Sequence, residues 1–318
     1  NSVPRLLEKV YHGFISKGKE LKGLSKLIYH RAISITRHFE YNRKYPLLLG
    51  LKIKLYDRLV YSKWREALGG NIIYAISGGA AIYPEISRLF GMAGILNLEG
   101  YGLTETSPVI AVNHPGEKIM KIGTVGPILN GIEAKIADDG EILCRGGNVM
   151  MGYYKSPEQT AEVIDDEGWF HTGDIGTFED GIFLKITDRK KEMFKLSGGK
   201  YIAPQMLENK LKSSDYVEQA MVIGNNQKFP SAIISPDFNV LKAWCTKQGL
   251  TYDDNSGLIA LPQVVSLFQK EVNHINKSLG THEVIKRFRL VSDEWNTSTG
   301  ELSPTLKLKR NRISEKYS

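Results

Sequence analysis

Four short clusters in this 318-residue chain hold residue types suited to a phosphorylated ligand. The first is Glu99-Gly100-Tyr101-Gly102-Leu103-Thr104-Glu105-Thr106. Its glycines let a backbone approach a flat or phosphorylated group closely. Tyr101 offers a ring face to a base, Thr104 a hydroxyl to a phosphate, and Glu105 a hard oxygen for Mg²⁺. The second, Gly168-Trp169-Phe170-His171-Thr172-Gly173-Asp174, ends in a carboxylate able to accept both hydroxyls of a ribose. His171 has no identifiable Ser, Cys or carboxylate partner and is read as structural rather than as a general base. The third, Arg189 to Pro204, sets Arg189, Lys191, Lys195 and Lys200 around Gly198-Gly199, a pattern for binding phosphate through cations and backbone N–H groups. The fourth is the basic segment Gly300 to Arg312. Taken singly, each also fits something ordinary: a Gly-containing turn, an Asp turn, a solvated basic hairpin, a disordered or nuclear-localisation-like tail.

These clusters need elements to position them. Ile72 to Ile76 is a short apolar run that reads as a buried strand entering a tight loop at Ser77-Gly78-Gly79-Ala80. A helix over Pro84 to Phe90 and a strand over Gly94 to Leu98 follow, so the expected frame is a parallel sheet with ligand loops at its strand ends. Residues 1–68 read as helical, with Leu24, Leu27, Ile28, Ala32, Ile35 and Phe39 as the apolar stripe. Residues 108–187 read as a β-rich subdomain, with turn signals at Asp138-Asp139-Gly140 and Glu179-Asp180-Gly181. A domain boundary is expected at 188–191. A mixed α/β domain follows over 192–318, with strands near 219–224 and 231–236 and helices near 262–279.

Composition bounds the classes. With 42% hydrophobic and 24% charged residues the chain is of globular type. No stretch reaches the ~20 apolar residues of a membrane-spanning helix, the nearest, Pro46 to Leu55, being interrupted by Lys52 and Lys54. Cys144 and Cys245 lack metal-ligand spacing, and a reducing, cytosolic setting is the economical expectation. The net charge of +7 is concentrated in residues 1–60, where thirteen Lys/Arg face four acids, leaving the remainder slightly acidic. Such a region suits anionic lipid, a polyphosphate or nucleic acid, and equally a solvated helical face.

Together and in this order, Ser77-Gly78-Gly79-Ala80, Tyr101-Gly102-Leu103-Thr104-Glu105, Gly140-Glu141-Ile142, Thr172-Gly173-Asp174 and Asp188-Arg189 resemble the adenylate-forming superfamily of acyl-CoA synthetases, luciferases and peptide-synthetase adenylation domains. Ser2 to Tyr11, Lys63 to Gly70 and Gly300 to Lys307 resemble the long-chain fatty acyl-CoA ligase group. The resemblance implies an α/β adenylate-forming fold. Residues 1–187 would be the C-terminal part of the large AMP-binding domain, 188–191 a hinge and 192–318 a small mobile domain.

Enzymes of this group join a carboxylate to the α-phosphate of ATP, release pyrophosphate, and then let a thiol, usually of CoA, displace AMP. By resemblance Gly78, Gly79 and Ala80 line the adenine site, with Glu99, Gly100 and Gly102 framing Tyr101, which stacks on the base. Thr104 contacts the α-phosphate, Glu105 holds Mg²⁺, and Asp174 and Arg189 hold the ribose. Lys191 is the hinge, Lys195, Gly198 and Gly199 serve the thiol step, and Lys307, with Lys309 as fallback, stabilises the adenylation charge. The expected partners are a long-chain fatty acid, ATP and CoA, with peripheral contact to an anionic membrane and no nucleic acid. The expected location is the cytoplasm, at the inner membrane surface of a bacterium. The family's Ser/Thr/Gly-rich phosphate loop is absent and the first residue is Asn1, so a fragment with little activity of its own is expected. The alternatives are an acyl-acyl-carrier-protein synthetase and a catalytically silent docking module for membrane or nucleic acid.

Overall fold

The computed structural model describes residues 4–41, 43–79, 82–115, 119–304 and 307–317. The chain divides into two compact units, residues 1–187 and 188–318.

The first unit opens with helices α1 (Pro4–Glu20), α2 (Gly23–Thr36), α3 (Leu47–Tyr56) and α4 (Ser62–Ala67), the last two joined by a five-residue π-helical stretch, Asp57–Tyr61. An aromatic cluster fastens these helices. The Phe14 ring stacks on Trp64 at 5.0 Å. Trp64 Nε1 donates to the Tyr29 hydroxyl, which itself donates to the Phe14 carbonyl, both at 2.8 Å. That cluster explains a departure from the expected stripe: α2 buries Tyr29, Ala32 and Thr36, while Leu24 and Leu27 are exposed. Among the described residues no helix is long and apolar enough to cross a membrane.

Next come β1 (Tyr74–Gly78), α5 (Pro84–Met92), β2 (Leu96–Tyr101) and β3 (Ala111–Val112). Strands β1 and β2 pair in parallel, and β3 adds to β2 antiparallel. The expectation of a buried first strand fails here. Ile73, Tyr74 and Ile76 are exposed, and β1 lies at the edge of its three-stranded sheet. A four-stranded sheet follows, of β4 (Ile132–Ile136), β5 (Glu141–Gly146), β6 (Phe170–Glu179) and β7 (Phe183–Arg189), with α6 (Pro157–Val163) between β5 and β6. Its hairpins turn at the two expected places. At the second, Asp180 and Gly181 both have positive φ, the geometry that suits the right-handed twist of paired strands.

The second unit contains the short pair β8 (Phe194–Lys195) and β9 (Tyr201–Ile202), helix α7 (Pro204–Lys212), strands β10 (Val217–Ile223) and β11 (Ser231–Pro236), helices α8 (Phe238–Gln248), α9 (Asn255–Ala260) and α10 (Pro262–Asn276), strand β12 (Arg287–Leu290) and helix α11 (Arg310–Tyr317). Side-chain alternation splits its sheet, ordered β10-β11-β12, between two cores. Ala220, Val222, Ala232 and Ile234 pack with Leu207, Leu241 and Phe268 of α7, α8 and α10. Met221 and Ile233 pack with Val291, Trp295, Leu302 and Ile313, which brings the C-terminal segment under the sheet. The two cysteines are buried, Cys144 in β5 and Cys245 in α8.

Candidate nucleotide site

Two motifs 73 residues apart meet in the first unit: the Tyr101 hydroxyl donates to Asp174 Oδ2 at 2.8 Å. Asp174 lies within β6. There the register with β5 shifts: Leu143 pairs with His171, but Glu141 pairs with Ile175. Two residues of β5 thus span four of β6, and Thr172-Gly173-Asp174 forms a bulge. Such irregularities re-aim side chains beside functional sites. Gly173 takes φ +71°, a conformation glycine adopts without strain. Its N–H donates to Glu141 Oε1 at 2.8 Å, and Thr172 Oγ1 donates to the Ile142 carbonyl at 2.7 Å. Asp174, Thr172 and Glu141 are all buried.

Glu141 is therefore the residue that holds the bulge, a role that its place in Gly140-Glu141-Ile142 did not reveal. Its other oxygen lies 3.1 Å from His171 Nδ1, and His171 Nε2 lies 3.6 Å from Asp165. His171 thus has two carboxylate partners that the sequence had hidden, and they tie it to the bulge.

The segment after Tyr101 is fixed from within. A Cβ on Gly102 would collide with the Pro108 carbonyl, so this glycine serves the turn's own close packing as well as any ligand's approach. Thr104–Thr106 form a single 3-10 turn. Thr106 is buried, its hydroxyl bonded to Leu103 and Pro108, while Asn148 Nδ2 donates to its carbonyl at 3.1 Å. This leaves Thr104 exposed and Glu105 half-buried. Glu105 Oε1 accepts from the Tyr153 hydroxyl at 3.1 Å, a neighbour the sequence had not singled out.

Gly78 stands level with Gly100 across the parallel β1–β2 pair, and Gly79 continues the chain with open space at its Cβ position. Ala80 lies outside the described residues. Glu99 is engaged elsewhere than expected of a ligand contact. It is buried, with Oε1 3.3 Å from Ser87 Oγ, in a polar chain that continues through Asn97 to Ser77. Burial pushes its carboxyl up to about 8, against a small opposing pull from Ser87, so it is largely protonated at neutral pH.

The remaining candidates belong to the second unit. Arg189 ends β7 and is exposed, and Lys191 is exposed in the turn that follows. Lys195 is exposed in β8, with Nζ 5.5 Å from the Tyr201 ring centroid, and Gly198 and Gly199 form the exposed tip of the β8–β9 hairpin. Lys307 and Lys309 are exposed on the loop before α11.

Comparison with known proteins agrees with this architecture. Residues 1–154 match the AMP-binding enzyme family and residues 191–318 the AMP-binding enzyme C-terminal domain. The long-chain-fatty-acid–CoA ligase FadD15 of Mycobacterium bovis is 38% identical over 99% of this chain and 52% of its own length. The peroxisomal long chain acyl-CoA synthetase 6 of Arabidopsis thaliana is 35% identical over 100% of this chain and 47% of its own. The chain thus spans about half the length of these curated relatives. Among solved structures, the adenylation domain of a carboxylate reductase from Mycobacterium chelonae shares the fold with a TM-score of 0.68, at 23% identity over 99% of this chain and 44% of its own. By its two matching domains and these relatives, the chain belongs to the AMP-binding enzyme family, with an adenylate-forming α/β fold.

Proposed function

We propose that this chain works within an ATP-dependent long-chain fatty acid–CoA ligase, which converts a fatty acid to acyl-AMP and then to acyl-CoA. The observation that carries this reading is the Tyr101–Asp174 hydrogen bond at 2.8 Å, since it joins an aromatic ring suited to a base with a buried carboxylate suited to a ribose. Relatives named as long-chain ligases and synthetases support the substrate class.

In this reading Gly78, Gly79 and Ala80 border the adenine, Tyr101 stacks on it, Thr104 contacts the α-phosphate, and Asp174 and Arg189 hold the ribose. Lys307 stabilises the charge that builds when a carboxylate approaches the α-phosphate, the main burden when two anions meet. Lys191 is the pivot, and Lys195 with Gly198-Gly199 serves the thiol step. Glu105 fits Mg²⁺, which asks a protein for only one or two carboxylates and fills its shell with water and phosphate oxygens. Bound there, the ion would neutralise phosphate charge, while Tyr153 steadies the carboxylate.

The test is calorimetric binding of a non-hydrolysable acyl-adenylate analogue, with Asp174→Ala as the control. Binding that is absent, or that Asp174→Ala leaves unchanged, overturns the reading. CoA and phosphopantetheinylated carrier protein, offered in parallel to the complete ligase, separate the two thiol acceptors.

The setting we propose is the cytoplasmic face of a membrane. Leu47 and Leu48 of α3 are 80% and 75% exposed, Leu51 and Leu55 are exposed as well, and Lys52, Lys54 and Arg58 stand close to them in sequence. Apolar side chains beside cations suit anionic lipid. Co-sedimentation with phosphatidylglycerol vesicles that weakens with salt is expected. Equal binding to neutral vesicles, or none, rules the contact out.

A further inference from the structure

Residues 307–309 are bonded back to residues 301–303. The Lys307 N–H donates to Ser303 Oγ at 3.0 Å, the Ser303 N–H donates to the Lys307 carbonyl at 2.8 Å, and the Lys309 N–H donates to the Glu301 carbonyl at 2.8 Å. Leu302 and Leu308 pair as an isolated antiparallel bridge. The next residue after Lys309 is Arg310, which opens α11.

The Arg310 guanidinium reaches two carboxylates of unequal standing. Nη1 and Nη2 each lie 2.7 Å from an oxygen of Glu208, a two-pronged contact, and Nε lies 3.0 Å from Glu192 Oε2. Glu208, in α7, has a side chain only 3% exposed, and it also accepts the Val222 N–H of β10 at 2.7 Å. Glu192 is 28% exposed and lies one residue after Lys191, in a turn whose N–H groups at 192 and 193 both donate to the Arg189 carbonyl. The Gln205 side-chain amide approaches the same Glu192 oxygen at 3.4 Å, and the Gln205 backbone N–H donates to Asp188 at 3.2 Å. Glu192 and Glu208 thus share one guanidinium, and burial, with the nearby charges of these two glutamates, pushes Asp188 up to about 7.

We propose that Arg310 is a positioning residue that couples the Lys307 loop to the hinge turn, with Glu208 as a permanent anchor and Glu192 as a releasable latch. The buried two-pronged bond keeps α11 on α7 in either catalytic state. The single, solvent-reachable bond to Glu192 holds while the pivot has its adenylation conformation, and it opens when the backbone at Lys191 turns. One guanidinium therefore reports the state of the pivot to the loop bearing the lysine, over a sequence separation of 118 residues. This inference rests on the role proposed above for Lys307.

The test uses the complete ligase and measures two half-reactions: pyrophosphate exchange for adenylation, and thioester formation from supplied acyl-AMP. Glu192→Gln is expected to lower the adenylation kcat about 10-fold, the order expected for a charged hydrogen bond, with KM for ATP within about 2-fold. Thioester formation should be equal or faster, and the melting temperature unchanged because the Glu208 bond remains. Arg310→Lys should slow adenylation as well, and the double variant should be no slower than the slower single one, since both cut the same link. A silent Glu192→Gln, equal slowing of both half-reactions, or additive losses overturns the latch. Lys307→Ala is the reference. If it leaves adenylation intact, the role of Lys307 itself fails; if it disables adenylation while Glu192→Gln is silent, the latch alone fails.

Discussion

Around Asp174 the polar side chains are buried and bonded across to a neighbouring strand, whereas Lys307 and Lys200 stand exposed on loops and Lys195 is exposed in the short strand β8. The bulge at Thr172-Gly173-Asp174 is fixed by Glu141 and Ile142, so its carboxylate has its direction before any ligand arrives. In the second unit the bonded group is not a candidate cation but Arg310, one residue after Lys309, on Glu208 and Glu192. A recognition site gains from preorganisation, since a ligand then meets groups that need no reordering. Cations needed in only one of two half-reactions gain from a mount that can be released. The two regions therefore suit the division of labour proposed above, holding the nucleotide and delivering charge.

Several substitutions test that contrast. Lys307→Ala, in the complete ligase, should cost adenylation about 2.7–4 kcal/mol, or ~10²–10³ in rate, while sparing thioester formation from supplied acyl-AMP. Equal loss in both half-reactions would make the lysine part of the fixed site instead. Gly102→Ala should destabilise the first unit by about 3 kcal/mol, since its new methyl meets the Pro108 carbonyl. Hydrogen exchange should show faster opening over residues 96–112 and none of that acceleration in the second unit. Asp174→Ala should weaken binding of the acyl-adenylate analogue about 10- to 100-fold, the order of a charged hydrogen bond, and Tyr101→Phe should weaken it less.

A separate effect, on pH dependence, concerns Glu99. Its carboxyl titrates near 8 in the folded chain against an ordinary 4.5, so between those values the native state keeps a proton that the unfolded state has lost. Stability of the first unit should therefore fall as pH rises from about 4.5 to 8, by at most about 1.4 kcal/mol per pH unit. Glu99→Gln should flatten that slope. Urea titrations at pH 5 and pH 8 would read it, and an unchanged slope would place the proton elsewhere.

How much of this was legible in the sequence depends on how local the cause is. The two hairpin turns, the strand at Ser231–Pro236 and the helix beginning at Pro84 all carry their signals within a few residues. The bulge carries none: Gly173 looks like any turn glycine until β5 sets the register against it. Strand β1 read as buried because its side chains are apolar, yet burial depends on what lies beside and above a strand, which those five residues do not encode. The α2 stripe shifted for a similar reason, since Tyr29 is drawn inward by hydroxyl partners on α1 and α4. The family motifs marked Tyr101 and Asp174 individually. Their hydrogen bond, the support from Glu141 and the reach of Arg310 to Glu192 join residues that only folding brings together.

Each unit also encloses a single native thiol, Cys144 in one and Cys245 in the other, and burial pushes both above the usual thiol range. A thiolate-seeking reagent is thus shut out twice, by access and by protonation. Labelling must await a transient opening, and the modified cysteine identifies which half opened. The molecule therefore carries two independent chemical clocks, and mass spectrometry after timed exposure would count the breathing of each half without any engineered probe.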